Sequence, residues 1–251
     1  MFGFIYSLLA YVAFLSAFAG FVFFTDGVFL PKTVDTGQAG SFGAALAINI
    51  GLILLWGVQH SVMARQRFKD WLTQFVPAHL ERSTFVMASS VVLAVVMLGW
   101  QPMEGVLWQV ESSELVIALW VINAIGWAGV PMVSFLIDHF DLFGLKQAFM
   151  HFRRRTYDSA GFVMPWLYRH VRHPMMTAIL VGLWATPYMT VSHLTLSLGM
   201  SVYVYVGVYF EERSLLRELG QPYAEYQRTT PKFVPGAPPL PPQTQVVGSE
   251  V

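Results

Sequence analysis

Tyr168-Arg169-His170-Val171-Arg172-His173-Pro174 is a basic, histidine-containing turn that runs straight into an apolar segment, and its reading decides the fold. Two apolar runs follow, residues 175–189 and 194–210, each about long enough to cross or nearly cross a bilayer. The second closes in Tyr209-Phe210-Glu211-Glu212-Arg213. If the two runs form a helical hairpin, both charged clusters return to the same side of a membrane. Two histidines, several arginines and two glutamates then converge at one membrane-water boundary.

The composition agrees with that setting. Of 251 residues, 55% are hydrophobic and 12% charged, with a mean hydropathy of +0.52, which places the chain among integral membrane proteins. A net charge of zero excludes the overall basic field that gathers nucleic-acid phosphates. The absence of cysteine excludes disulfides, thiolate metal sites and a cysteine nucleophile, so any thiol in the chemistry belongs to a substrate.

Four further apolar runs precede the turn, at residues 4–24, 42–59, 84–100 and 115–137. The first has no basic leader and is too long for a signal peptide, so it reads as a retained helix. The fourth carries Gly126, Gly129 and Pro131, residues that permit close helix packing or a place for the bundle to open. Basic residues cluster around Arg65, Arg153 and Arg213. With these on the cytoplasmic side, both termini are cytoplasmic, the loops at Thr25, Gln101 and Tyr188 are external, and of fifteen Lys and Arg only Lys32 lies outside. The expectation is an all-α polytopic bundle of five or six transmembrane helices. A cytosolic cap is expected from residues 138–173 and from the segment after Glu211, where the chain is read as leaving the membrane. Residues 1–234 form one domain, and the proline-rich stretch 235–251 is expected to be disordered.

His170 and His173 are three residues apart, so on a helix they and the flanking Arg169 and Arg172 address one rim. Pro174 then opens the next helix at its first turn. An interfacial basic anchor is the plain alternative. Glu211 and Glu212 either pair with Arg172 and Arg213 or bind a cationic ligand or a ribose hydroxyl, since unpaired carboxylates are costly near hydrocarbon. Two histidines with two carboxylates also suggest a metal, but ligands from helix ends with nothing to orient them make a poor site, and no metal ligand is assigned. A haem or quinone protein would place histidines inside apolar helices, whereas all but His193 here fall at cytoplasmic helix ends or segments, and His193 falls in a short external turn. His60, Arg65, Asp138, His139, Asp141 and Gln147 share that cytoplasmic side.

These residues resemble the membrane methyltransferases of the isoprenylcysteine carboxyl methyltransferase superfamily. The likeness lies in the Arg172-His173-Pro174 turn, the hairpin, the Glu211-Glu212 pair and the tail motif of Pro222, Tyr223 and Tyr226. Residues 59–65 (Gln-His-Ser-Val-Met-Ala-Arg), 80–84 (Leu-Glu-Arg-Ser-Thr), 100–102 (Trp-Gln-Pro) and 138–145 (Asp-His-Phe-Asp-Leu-Phe-Gly-Leu) are similar to its nurim-like branch. The resemblance implies a bacterial inner-membrane enzyme with S-adenosylmethionine as methyl donor and methanethiol as acceptor, giving dimethyl sulfide. It implies that Arg172, His173, Pro174, Glu211 and Glu212 hold the cofactor, with Tyr203 and Tyr205 lining its pocket. A small thiol is mostly protonated at neutral pH. His60 or His170 is therefore the candidate base, Arg65 or Arg169 the group favouring the thiolate, and Asp141 the orienting carboxylate. Another thiol, a prenylated cysteine or a lipid amine are alternative acceptors, and a non-enzymatic membrane scaffold is the alternative class.

Overall fold

The computed structural model describes residues 1–157 and 166–236. Apart from Pro235 and Gly236, the stretch expected to be disordered lies outside the described residues, as does part of the expected cap.

Five helices are long and apolar enough to cross a membrane. They are α1 (Phe2–Asp26), α2 (Phe42–Met63), α4 (Glu81–Gly99), α5 (Ser113–Ile137) and α9 (Val191–Leu219). Short helices fill in: α3 (Gln66–Leu72), α6 (His139–Leu142), α7 (Leu145–Phe152), α8 (Pro174–Trp184) and α10 (Gln221–Thr229). Outward-facing Leu9, Leu54, Leu98, Ile117, Ile125 and Val202 are exposed, as a bundle bathed in lipid requires.

The count is five, the lower of the two expected values, because the hairpin is unequal. Pro174 starts α8 at its first turn, but the helix has only 11 residues, about 16 Å, roughly half the hydrocarbon thickness. Pro187 disfavours helix at Thr186, and the chain turns into a short strand. By contrast α9 has 29 residues, about 43 Å. The helix runs on past Glu211 to Leu219 and ends at Gly220, whose φ is 61°. His193, expected in a loop, lies in the first turn of α9, buried, with Nε2 2.9 Å from the Leu183 carbonyl.

One end of the bundle is tied by its loops. The strand β1 (Val106–Gln109) pairs antiparallel with β2 (Tyr188–Thr190), a feature the helical pattern did not announce. Lys32 donates to the Trp100 carbonyl at 2.9 Å, Thr190 to Asp35 at 2.6 Å and Ser192 to the Val34 carbonyl at 2.8 Å. The main core cluster, with Phe21, Phe24, Ile53, Trp100, Trp127, Leu183 and Leu196, lies toward this end. The opposite, basic end is held by polar contacts: Ser83 donates to Ser7 at 2.7 Å, joining α4 to α1, and Asp138 pairs with Lys146 at 2.5 Å. The loops at 27–41, 100–112 and 185–190 thus gather at one end, the grouping that the charge pattern expects.

The glycines of α5 close a seam. A Cβ on Gly126 would lie 2.5 Å from the Gly182 nitrogen, and one on Gly129 would lie 2.9 Å from the Ala178 Cβ. This part of the bundle is packed shut against α8 and does not open. Gly126→Val is expected to lower stability by about 1–3 kcal/mol or more, the cost of overpacking, read as an earlier thermal unfolding in detergent; an unchanged transition would contradict the packing.

Candidate functional site

The Arg172 turn is bound by the chain's own C-terminal segment. His173 precedes a proline and is kept out of the helical region, with φ −125° and ψ 64°. That leaves the backbone N–H groups of Arg172 and His173 to donate to the Pro231 and Lys232 carbonyls at 2.9 and 3.2 Å. Thr177 Oγ1 donates to the Phe233 carbonyl at 2.8 Å, completing a strap over the start of α8. The Arg172 guanidinium donates to the Gln227 carbonyl at 2.8 Å and to the Thr230 carbonyl, placing a cation against the C-terminal end of α10.

Glu212 is the hub. Its Oε1 accepts from Arg172 Nε at 2.8 Å and from His173 Nε2 at 3.0 Å, and its Oε2 accepts from Lys232 Nζ at 2.9 Å. A carboxylate only accepts, so His173 carries its proton on Nε2. The Arg172 and Glu212 side chains are 2% and 3% exposed, whereas that of Glu211 is 54% exposed, with Oε2 3.7 Å from His173 Nδ1. One carboxylate of the pair is consumed by the protein, and the other is half exposed beside His173. Tyr226 donates to the Tyr168 carbonyl at 2.6 Å, and burial pushes its hydroxyl up to about 12, so it remains a donor. Lys232 and the strap are not legible in the sequence as site elements; the only signal is the Pro231-Lys232-Phe233 run directly after α10.

A second cluster lies deeper. On α2, Trp56 and His60 are four residues apart on one face, with ring centroids 4.9 Å apart. Phe85 of α4 and Tyr203 of α9 stand 4.8 and 6.1 Å from the His60 ring. Gly57 allows this approach, because a Cβ there would sit 2.9 Å from the Tyr203 ring. Trp56 Nε1, Gln59 Oε1 and His60 Nδ1 are buried and have no hydrogen-bond partner among the described residues. Three orphaned polar atoms within an aromatic box are costly unless something else meets them. Sequence reasoning misses Trp56, because a tryptophan near a helix end reads as an interfacial anchor.

Helix geometry joins the two clusters. Tyr203, Gly207 and Glu211 recur every fourth residue and so line one face of α9. That face lies between Tyr203, which meets α2, and the buried Val204, Val208 and Glu212. A Cβ on Gly207 would meet nothing within 4 Å, so this face is open beside Gly207. The His60 box lies at the Tyr203 end of the face and Glu211, beside His173, at the other. Tyr205 is elsewhere, 55% exposed, with its ring 5.0 Å from Phe233.

Arg65 places its guanidinium 5.2 Å from the Phe210 ring. Arg169 and His170 are exposed on a 3-10 turn, with the His170 ring 5.8 Å from Trp166. Asp141 accepts from the Tyr157 hydroxyl at 2.7 Å, not from a histidine, and lines a cleft of about 590 Å3 with Lys69, Arg82 and Gln147. His139 is a structural tie: Ser134 Oγ donates to the Pro131 carbonyl, so His139 Nδ1–H donates to Ser134 at 2.7 Å and Nε2 accepts from Tyr11 at 2.7 Å. Burial holds this imidazole below its ordinary value, hence neutral.

The chain is 43% identical over 231 residues to a methanethiol S-methyltransferase of Mycobacterium tuberculosis, covering 92% of this chain and 95% of that one. It is 42% identical to the methanethiol S-methyltransferase of Pseudomonas deceptionensis over 233 residues, 93% and 89% of the two chains. Human nurim is 30% identical over 176 residues, 66% of each chain. No protein-family model matches the chain, and no solved structure does.

Proposed function

The chain belongs to the methanethiol S-methyltransferase family, and on that premise we propose that it transfers a methyl group from S-adenosylmethionine to methanethiol. The products are dimethyl sulfide and S-adenosylhomocysteine. The setting is a bacterial inner membrane with the basic end facing the cytoplasm.

The observation that carries the site is the open space beside Gly207 on the face of Tyr203 and Glu211, which this reading takes as a groove for the donor. Its residues fit such a donor: a half-exposed carboxylate at the mouth suits an ammonium or ribose hydroxyls, the bare Gly207 leaves room, and the aromatic box suits a sulfonium. Arg172, Pro174 and Glu212 then build the mouth, and Glu211 and His173 face the ligand. Tyr203 closes the deep end, while Tyr205 supports the strap from outside. When bound, the donor supplies an electrophilic methyl group on a positively charged sulfur.

The chain's own residues do the rest. His60 accepts the thiol proton, which turns a weak nucleophile into a thiolate. Trp56, Phe85 and Tyr203 exclude water and hold the thiol for in-line attack at about 3 to 3.5 Å. Arg65, fixed over Phe210, adds positive potential at this end of α2. His170, Arg169 and Asp141 have no contact with the box in this arrangement.

The test is paired. Wild-type protein in detergent is expected to bind S-adenosylhomocysteine by calorimetry and, with donor and methanethiol, to release dimethyl sulfide into the headspace. Gly207→Leu is expected to abolish that binding without changing thermal unfolding, since the new side chain enters open space. Undiminished binding in Gly207→Leu would remove the donor from this groove, and a wild type that makes no dimethyl sulfide would overturn the activity.

A further inference from the structure

We propose that the cleft between α3 and α7 binds the headgroup of an anionic phospholipid in the leaflet at the basic end. The cleft holds about 590 Å3 and is lined by Lys69, His79, Arg82, His151 and Arg155, against the carboxylates of Glu81 and Asp141. Among the described residues no ion pair joins Lys69, Arg82 or Arg155 to a carboxylate. Asp141 is engaged by the Tyr157 hydroxyl, and Glu81 sits in the first turn of α4, where the helix amides favour it. Arg82 Nε donates to the Leu142 carbonyl at 2.9 Å, which fixes its guanidinium at the cleft, and the charges of Lys69 and Arg155 are left for an external anion.

Two details point to a phosphate with a polyol. The His79 and His151 rings stack with centroids 3.6 Å apart at 10°. Neighbouring imidazoles this close repel when protonated, and an anion against them removes that penalty. Gln147 Oε1 is buried without a partner among the described residues and supplies an acceptor for a headgroup hydroxyl.

The rings flanking the cleft, outside its own lining, set the depth. Along α3 and just beyond it, Phe68, Trp71 and Phe75 form a row with centroids 5.2 and 5.4 Å apart, and Trp71 and Phe75 are 51% and 71% exposed. On α7, Phe149 and Phe152 pack on Phe4 and are each 46% exposed. Exposed rings on short helices beside a basic floor belong at the headgroup level. A soluble anion has no use for such rings, whereas a lipid brings its acyl chains against them.

Delipidated protein in detergent would be titrated with short-chain phosphatidylglycerol, short-chain phosphatidylcholine and inorganic phosphate, with bound species counted by native mass spectrometry. Phosphatidylglycerol is expected to bind and phosphatidylcholine is not. Lys69→Gln/Arg155→Gln is expected to weaken binding about thirty-fold, each basic residue near the surface contributing about fivefold. Arg153→Gln/Arg154→Gln is expected to leave it nearly unchanged, because neither residue lines the cleft. Equal binding of the two lipids, or undiminished binding in the Lys69/Arg155 variant, would overturn the proposal. Displacement by equimolar inorganic phosphate would also overturn it, because the ligand would then be a soluble anion.

Discussion

Glu212→Ala is expected to destabilise the protein by about 3–5 kcal/mol, the cost of breaking a buried ion pair and leaving its partners uncompensated. Three groups lose their acceptor at once: Arg172 Nε, His173 Nε2 and Lys232 Nζ, all within 3.0 Å of that carboxylate. The strap of residues 230–233 is expected to release, since Lys232 is its ionic anchor and the Arg172 guanidinium holds the Thr230 carbonyl at its start together with the Gln227 carbonyl of α10. Thermal unfolding in detergent reads the loss directly. Glu211→Gln is the contrast. Its carboxylate is half exposed, so unfolding is expected at the wild-type temperature, while affinity for S-adenosylhomocysteine falls about tenfold or more with the loss of a charge-assisted hydrogen bond. Should the alanine variant unfold like wild type, or the glutamine variant bind like it, the division of labour between the two glutamates is wrong.

His60→Gln is expected to lower kcat by about 10²–10⁴ fold, the usual contribution of a positioned base, with S-adenosylhomocysteine affinity unchanged. The substitution keeps a polar group in the box, so a folding defect is not expected. A pH series separates loss of the base from a merely structural effect. Without a base, the thiolate must come from solution ionisation, which grows about tenfold per pH unit below the thiol's own pKa. The variant's rate should therefore climb with pH while the wild type stays flatter. A variant that keeps the wild-type rate at neutral pH would exclude His60 as the base.

Glu212 and its neighbours mark how far the order of residues reveals the site. The converging Arg172-His173 and Glu211-Glu212 clusters are legible because a hairpin's geometry follows from run length alone, and α8 and α9 do bring them together. That Glu212 is spent on structure is not legible, since its third partner, Lys232, comes from a segment with no periodic signal. Nor is the placement of Tyr203 and Tyr205. Two residues apart on a helix is about 200°, so they cannot share a pocket, and which of them faces inward depends on what α2 and the strap cover. Asp141 illustrates the same limit: its place at the basic end follows from the sequence, but its partner, Tyr157, is sixteen residues away in a loop.

By itself the sequence determined the membrane class, the helix runs, the gathering of three loops at one end and the family, because hydropathy, basic-residue asymmetry and motif identity are properties of the chain in order. Only the tertiary structure decided the half-length α8, the strap at the Arg172 turn and the aromatic surroundings of His60. These depend on which helix faces meet, and in a bundle whose apolar residues point both to lipid and to core, composition does not distinguish the faces.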